Sequence, residues 1–273
     1  MKKIAIFLIL FSLVLQFSCK KDLPVADSDT QSVIDNISAD CAVQSIFTIV
    51  NNYADSYISE KGNNIDSNVI VSISPLYPLD SFPKTMIIDY CNGVNCADGK
   101  TRKGKIIATL NERWSFDSNS ITADVTTNNF FENNVQIIGY FAITCNGIDD
   151  SIPSFTIITS DAKLIFENSK NCQWHSTNTI NWLSGFETIN DISDDVFLFS
   201  GINVGVNCNE KGYESNITSS LKFENSCQNG TITQGKFELI PQDLSKRIID
   251  FGNGVCDRKA TVTINGVTVN VDF

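Results

Sequence analysis

Four groups of residues in this 273-residue chain have types and spacing that could do chemistry. One is a basic turn, Lys100, Arg102, Lys103 and Lys105, in an otherwise acidic protein. Clustered cations of this kind can dock an anionic glycan or a partner's acidic face. On the solvated side of a hairpin they would instead pair with Asp89 or Asp98, for about 0–1 kcal/mol. A second group is the carboxylate pair Asp89 and Asp250, each closing an Ile-Ile strand. A glycoside hydrolase needs only two carboxylates in one cleft, whereas a lone Asp at such a place accepts backbone N–H bonds in the following turn. A third is aromatic. Trp114, Trp174 and Trp182, with Phe130, Phe131, Phe197 and Phe199, could stack on sugars or fill a core. Trp174 and Trp182 join Lys100, Arg102 and Lys103 as candidate binding residues. The fourth is two oxygen-rich loops, one with Asp89, Asn92, Asn95 and Asp98, the other with Asn190, Asp191, Asp194 and Asp195. Calcium favours such donors, but the spacing departs from the EF-hand loop, so no metal is assigned. His175, the single histidine, lies in NCQWHST with no G-x-S-x-G turn in the chain, and reads as a strand residue beside Trp174. No residue is assigned as catalytic, and no cofactor is implied.

The cysteines point to a compartment. Lys2 and Lys3 precede a short apolar run, Ile4 to Phe17, too short to span a bilayer with ease, which is the form of a signal peptide over residues 1–18. Its end, Leu15-Gln16-Phe17-Ser18-Cys19, resembles a bacterial lipobox. That resemblance implies cleavage before Cys19 and acylation of its thiol, and Lys20 after it suggests the outer membrane, on its periplasmic face or at the cell surface. Each buried CH₂ of an acyl chain contributes about 0.8 kcal/mol to anchoring. Residues 19–29 read as a lipidated, acidic tether. Setting Cys19 aside leaves Cys41, Cys91, Cys96, Cys145, Cys172, Cys208, Cys227 and Cys256, an even set that favours disulfides in an exported chain. Cys227 with Cys256 is the pairing expected first, since both sit at turns of the last β section, and Cys91 with Cys96 could close a small loop. The CNGVNC spacing is zinc-like, but no second pair of that spacing follows.

The elements that position these groups are nearly all strands. Val33, Ile37, Cys41, Ile46, Val50, Tyr53 and Tyr57 recur at helical steps, predicting one amphipathic helix within residues 30–62, started by Ser28 or Asp29 and covering one face or end of a sheet. From Asn68 onward apolar residues alternate. Ile121, Ala123 and Val125 share one face, as do Ile202, Val204 and Val206, and Val267, Val269 and Val271. Such period-two runs build antiparallel sheets with one buried and one solvated face. Asn265-Gly266 predicts a type I′ hairpin, and Asn133-Asn134 and Asn146-Gly147 read as similar punctuation. IIDYCNGVNCADGKTRKGK (87–105) and IIDFGNGVCDRKATVTI (248–264) look like two copies of one β-loop-β device, and FENS recurs at 166–169 and 223–226. The strands read as too short for a transmembrane barrel.

The segments KTMIIDYCNGVNCADGKTRKGKIIATL, NNFFENNVQIIG, KLIFENSKNCQWHSTNTINWLSGF, SLKFENSCQNGTITQGKFELI and RIIDFGNGVCDRKATVTINGVTVNV resemble a family of uncharacterised lipoproteins from Bacteroidetes-type bacteria. In that family a DFG-like strand end precedes a PDGR-like turn and an RKGKI strand. Here Tyr90 and Cys91 stand where Phe and Gly are usual, and Ala97 precedes Asp98-Gly99. The resemblance implies anchoring and a β fold, and no activity.

The expected fold is therefore all-β, an antiparallel meander forming a β-sandwich or open barrel with one N-terminal amphipathic helix. Its β units, 63–165 and 166–273, would pack as one body. A formal charge of −11 excludes nucleic acid as a partner on electrostatic grounds. The function expected is that of a lipid-anchored envelope or surface protein that binds a protein or glycan, or supports the envelope. The alternative is a carboxylate-based glycan hydrolase using Asp89 and Asp250.

Overall fold

The computed structural model describes residues 27–58, 68–76, 81–116, 118–188, 191–227 and 231–273. The signal segment, Cys19 and most of the expected tether lie outside these residues.

Among the described residues one α-helix, α1 (Gln31–Ile58), is followed by fourteen strands in one antiparallel sheet, with a 3₁₀ turn at Ile192–Asp194. They are β1 (Ile70–Ser74), β2 (Lys84–Asp89), β3 (Val94–Asn95), β4 (Thr101–Leu110), β5 (Thr122–Glu132), β6 (Val135–Asp149), β7 (Ile152–Ile165), β8 (Asn171–Ser184), β9 (Val196–Val206), β10 (Gly212–Glu224), β11 (Thr231–Pro241), β12 (Arg247–Asn253), β13 (Lys259–Ile264) and β14 (Val267–Asp272). Each strand neighbours the next in the chain, except that the short β3 lies off the main path against β4. β1 and β14 end the path, so the meander is open, as the alternation predicts. The sheet runs unbroken through residue 165, where β7 pairs with β8 along most of its length. The two β-loop-β copies become β2–β4 and β12–β13, near opposite ends of the sheet. Asn265-Gly266 makes the expected two-residue hairpin, with φ of 51° and 82° between paired Ile264 and Val267. Asn146-Gly147 instead falls inside β6, at a register shift.

The sheet curls round α1, which packs against β6, β7, β9 and β11. The helix is therefore not amphipathic in the sense expected. Val33, Ile37, Ile46, Phe47 and Val50 are buried, but so are Asp35, Asn36, Asp40, Gln44, Thr48, Asn51 and Asn52. A helix surrounded by sheet has no solvated stripe, so its polar residues must find partners in the wall. Asn51 Oδ1 accepts from Trp114 Nε1 at 3.0 Å, Asp35 from the Cys208 N–H at 2.7 Å, and Ser32 Oγ from Asn207 Nδ2 at 2.8 Å. By length and composition residues Gln31–Ala54 could cross a membrane, yet 78% of its most apolar 18-residue stretch is buried inside the sheet. At about 1.5 Å per residue the 28-residue helix is about 42 Å long. Strands of 14 and 15 residues, β6 to β8, match that length and exceed the short strands expected from the sequence. Outward residues of the sheet include Asp124 on β5, Lys163 on β7, His175 on β8, Glu214 on β10 and Lys236 on β11, among exposed apolar residues such as Ile158 and Ile202.

The start of α1 is fixed at both levels. Asp29 Oδ1 accepts from the Gln31 N–H at 3.1 Å, one of the two caps expected. Arg247, wholly buried, donates Nη1 to Asp27 Oδ2 at 2.7 Å and also holds the Asp29 carbonyl. The last residues of the expected tether are thus a clamp rather than free chain.

Cys227 and Cys256 are joined, linking the turn after β10 to the loop before β13 across 29 residues. Closing a loop of that size stabilises by about 3–4 kcal/mol. Reduction is expected to lower the unfolding midpoint in urea correspondingly, and an unchanged midpoint would show the bond to be dispensable. Cys41, Cys91, Cys172 and Cys208 carry free thiols, contrary to a fully paired set. Cys91 cannot close with Cys96, because Cys91 is exposed while Cys96 turns into the core. Cys145 lies wholly buried on the inner face of β6.

Candidate binding site around the basic turn

The turn from β3 into β4 brings the cations together, but alternation sends them in different directions. Arg102 points inward and is 5% exposed, and Lys100 is also buried. Both meet Glu132, at the end of β5, through Lys100 Nζ at 3.0 Å and Arg102 Nε at 2.8 Å. Arg102 Nη1 also donates to Asp98 Oδ1 at 3.0 Å, and Ser45 of α1 donates to Glu132. Burial alone would raise the Glu132 carboxyl. The charges of Lys100 and Arg102 outweigh that, with the Ser45 hydrogen bond, and hold it at about 2. Lys100 and Arg102 are therefore part of a buried ionic bolt between helix and sheet, not the solvated binding cations expected.

Lys103 faces outward. Its ammonium lies 4.1 Å from the centroid of the Phe131 ring, its cross-strand partner. Among the described residues it makes no ion pair, unlike Lys100, Arg102 and Lys105. It stands in an open cleft of about 550 Å³ with Phe131, Asn92, Asn95, Thr101 and Asn134. Here the turn chemistry matters. Asn133 and Asn134 take φ of 48° and 68° in the β5–β6 hairpin, and Asn133 Oδ1 holds the Thr101 N–H at 2.9 Å, so two loops share one rim. Amides, a hydroxyl, an aromatic edge and one unpaired cation form a surface that can hydrogen-bond a polyol and hold a negative charge beside it.

The other sequence candidates are placed elsewhere. Trp174 and Trp182 are 1% and 2% exposed, on the inner face of β8, so they offer no platform to a sugar. Trp182 donates to Asp195 at 3.0 Å and packs among Phe116, Phe186 and Phe197; Trp114 stacks on Phe155. His175 is exposed, its Nδ1 accepting from the Asp161 N–H at 3.4 Å. Asp89 and Asp250 both leave the outer face, on β2 and β12, with eight strands of the sheet between them. Asp89 pairs with Lys105 at 2.8 Å and accepts from the Cys91 N–H; Asp250 pairs with Lys236 at 2.7 Å and accepts from the Gly252 N–H. The hydrogen bond and charge of Lys105 hold Asp89 below the usual carboxylate range. These are matching turn formers, each paired with its own lysine.

Among the described residues neither oxygen-rich loop gathers its carboxylates into one group. Asp89 points out to Lys105 while Asp98 is held by Arg102. In the second loop Asp191 caps the Ser193 N–H, Asp194 accepts from Thr188, and Asp195 is buried under Trp182, with its carboxyl pushed up to about 7 chiefly by burial. Asn190 lies outside the described residues. Among the described residues Glu224, Cys227 and Cys256 do converge, but their two sulfurs are joined to each other. Sequence reading missed Glu132, the hub of the bolt. The only local signal was a carboxylate falling on the inward phase next to a turn.

Comparison of the chain with family models, with curated proteins and with solved structures gives no match. The site must be read from its own geometry.

Proposed function

We propose that this chain is a non-enzymatic binding protein of the outer membrane, anchored through an acylated Cys19, of the kind its sequence resembles among Bacteroidetes-type lipoproteins. Its ligand is a hydroxyl-rich chain carrying negative charge, such as an acidic glycan. The observation that carries this reading is the cleft in which Lys103, unpaired by any carboxylate, lies over Phe131 between the amides of Asn92, Asn95 and Asn134. A buried ionic bolt directly beneath makes the rim rigid, which reduces the ordering cost of binding. The leader and the disulfide support an oxidising, exported setting.

Calorimetric titration with acidic and neutral oligosaccharides tests the ligand. Saturable binding of acidic chains is expected, weakened at least about tenfold by Lys103→Ala and by Phe131→Ala with thermal stability retained. Equal binding by wild type and Lys103→Ala would overturn the site. For the anchor, Cys19→Ala is expected to release the protein from membranes, and a membrane-bound Cys19→Ala variant would overturn acylation there.

A further inference from the structure

The inner wall of a curled sheet is normally apolar where it faces a central helix. Across β7 to β10 it is not. Thr159, Trp174, Ser176, Asn178, Asn203 and Tyr213 all point inward and all are at least nine-tenths buried. They form one band. Thr159 pairs with Ser176 and Ser176 with Asn203, while Trp174 and Tyr213 flank Gly205 from either side. Glycines on β9 make the room. A Cβ at Gly205 would fall 2.5 Å from the Tyr213 ring, and one at Gly201 2.9 Å from Asn178 Nδ2.

The helix meets this band through Asn36 and Asp40. Asn203 Nδ2 donates to Asn36 Oδ1 and to Asp40 Oδ1, both at 2.9 Å, and Asn36 Nδ2 donates to Asp40 at 3.1 Å. That saturates the Asn203 amine and leaves much else. The Thr159 and Ser176 hydroxyls, Trp174 Nε1, both amide atoms of Asn178, Asn203 Oδ1 and the Tyr213 hydroxyl have no protein partner. Seven buried polar atoms left dry would cost an amount comparable with the whole margin of a folded domain.

The donor set defines what fits. Trp174 Nε1 and Asn178 Nδ2 can only donate, Asn178 Oδ1 and Asn203 Oδ1 can only accept, and the hydroxyls do either. A bare cation would suit the acceptors and be repelled by the donors. An anion would do the reverse and face Asp40. Water satisfies both kinds at once. We propose that the band formed by Thr159, Trp174, Ser176, Asn178, Asn203 and Tyr213 beneath Asp40 is a built internal water-binding site, whose bound cluster satisfies these wall atoms and adds to the direct hydrogen bonds that Asn203 makes to α1. The helix is then held directly, by packing at Phe47, by the Ser45–Glu132 contact and by Asn203 on Asp40, with the water cluster filling the polar wall beside them.

Deletions that keep shape test this. Thr159→Val and Ser176→Ala each remove one hydroxyl. If the atoms are dry, each change removes an unsatisfied group and the melting temperature rises. The proposal expects a fall of a few degrees for each, with the double variant less than additive because one cluster is shared. A rise in either variant overturns it. A high-resolution crystal structure supplies the second readout. Ordered water within hydrogen-bonding distance of Trp174 Nε1 and an Asn178 amide atom is expected. A dry band, or an anomalous signal there after soaking with rubidium, overturns it. This test does not involve the cleft at Lys103, so the two proposals stand or fall separately.

Discussion

Replacing Glu132 with alanine is expected to destabilise the protein by about 3–5 kcal/mol, because it leaves two cations buried without their shared carboxylate. Arg102 keeps Asp98 and Ser45 as partners, the Lys100 ammonium loses its carboxylate, and Ser45 loses its acceptor on the sheet. Urea unfolding at pH 7 measures the change; a loss under about 1 kcal/mol would mean that the cluster behaves as a solvated pair. Acid acts on the same group. Its folded value of about 2 lies below the ordinary 4.5, so its contribution is complete above pH 4.5 and is lost as pH falls toward 2. Asp40 and Asp195 act oppositely. Burial raises both from 3.8 to about 7, Asp40 despite the amides of Asn203 and Asn36, Asp195 despite Trp182. Their stabilising effect is full below 3.8 and lost as pH rises to 7. The wild type should therefore melt highest in mildly acidic buffer, and Glu132→Ala should flatten the acid limb alone. A wild type most stable at pH 8 would contradict the buried, protonated state of the two aspartates.

Phe47→Ala is expected to cost about 3–5 kcal/mol as well, by opening a cavity between the helix and the curled sheet. The Phe47 ring is wholly buried, 4.8 Å from Phe155 and 5.7 Å from Phe197, so it ties α1 to β7 and β9 together. For a chain of this size that loss lowers the melting temperature by roughly 6–20 °C. Ile202→Thr is the control. Ile202 is 55% exposed on the outer face of β9, and its substitution should change stability by no more than about 0.5 kcal/mol. Equal effects of the two would mean that the helix is not the core of the fold.

Much of the architecture was legible because side chains in a strand alternate. The inner phases of β5 and β13, the Asn265-Gly266 hairpin and the Cys227–Cys256 link follow from the sequence pattern, but β9 is inverted: its apolar Ile202, Val204 and Val206 face outward, and Asn203 faces the helix. The surroundings of α1 were not. Its apolar residues read as one stripe, and nothing local tells Asp40 that Asn203 will sit beside it, 163 residues on. A polar residue on a helix looks solvated until the far side of the sheet closes over it. Trp174 and Trp182 were misplaced for a related reason. They share a phase with Cys172 and Ile180, which marks the core, but Ser176 and Asn178 on the same phase make it look wet. At the candidate site the sequence located the basic turn correctly. Arg102 shares the inward phase of Ile106 and Ala108 while Lys103 does not, but a cation on that phase reads as solvated because its deciding partner, Glu132, is 30 residues away.

Because strand order follows chain order, each new strand can add to the edge left by its predecessor, and most pairings close short loops. The helix has no such convenience. It is synthesised before any of the wall that encloses it, and its N-terminal clamp waits for Arg247, 220 residues later. A nascent chain would thus carry a 28-residue helix with its core side chains uncovered until the last hairpins arrive. Truncation ahead of β12 should leave that helix partly uncovered, a species inclined to aggregate or to occupy chaperones.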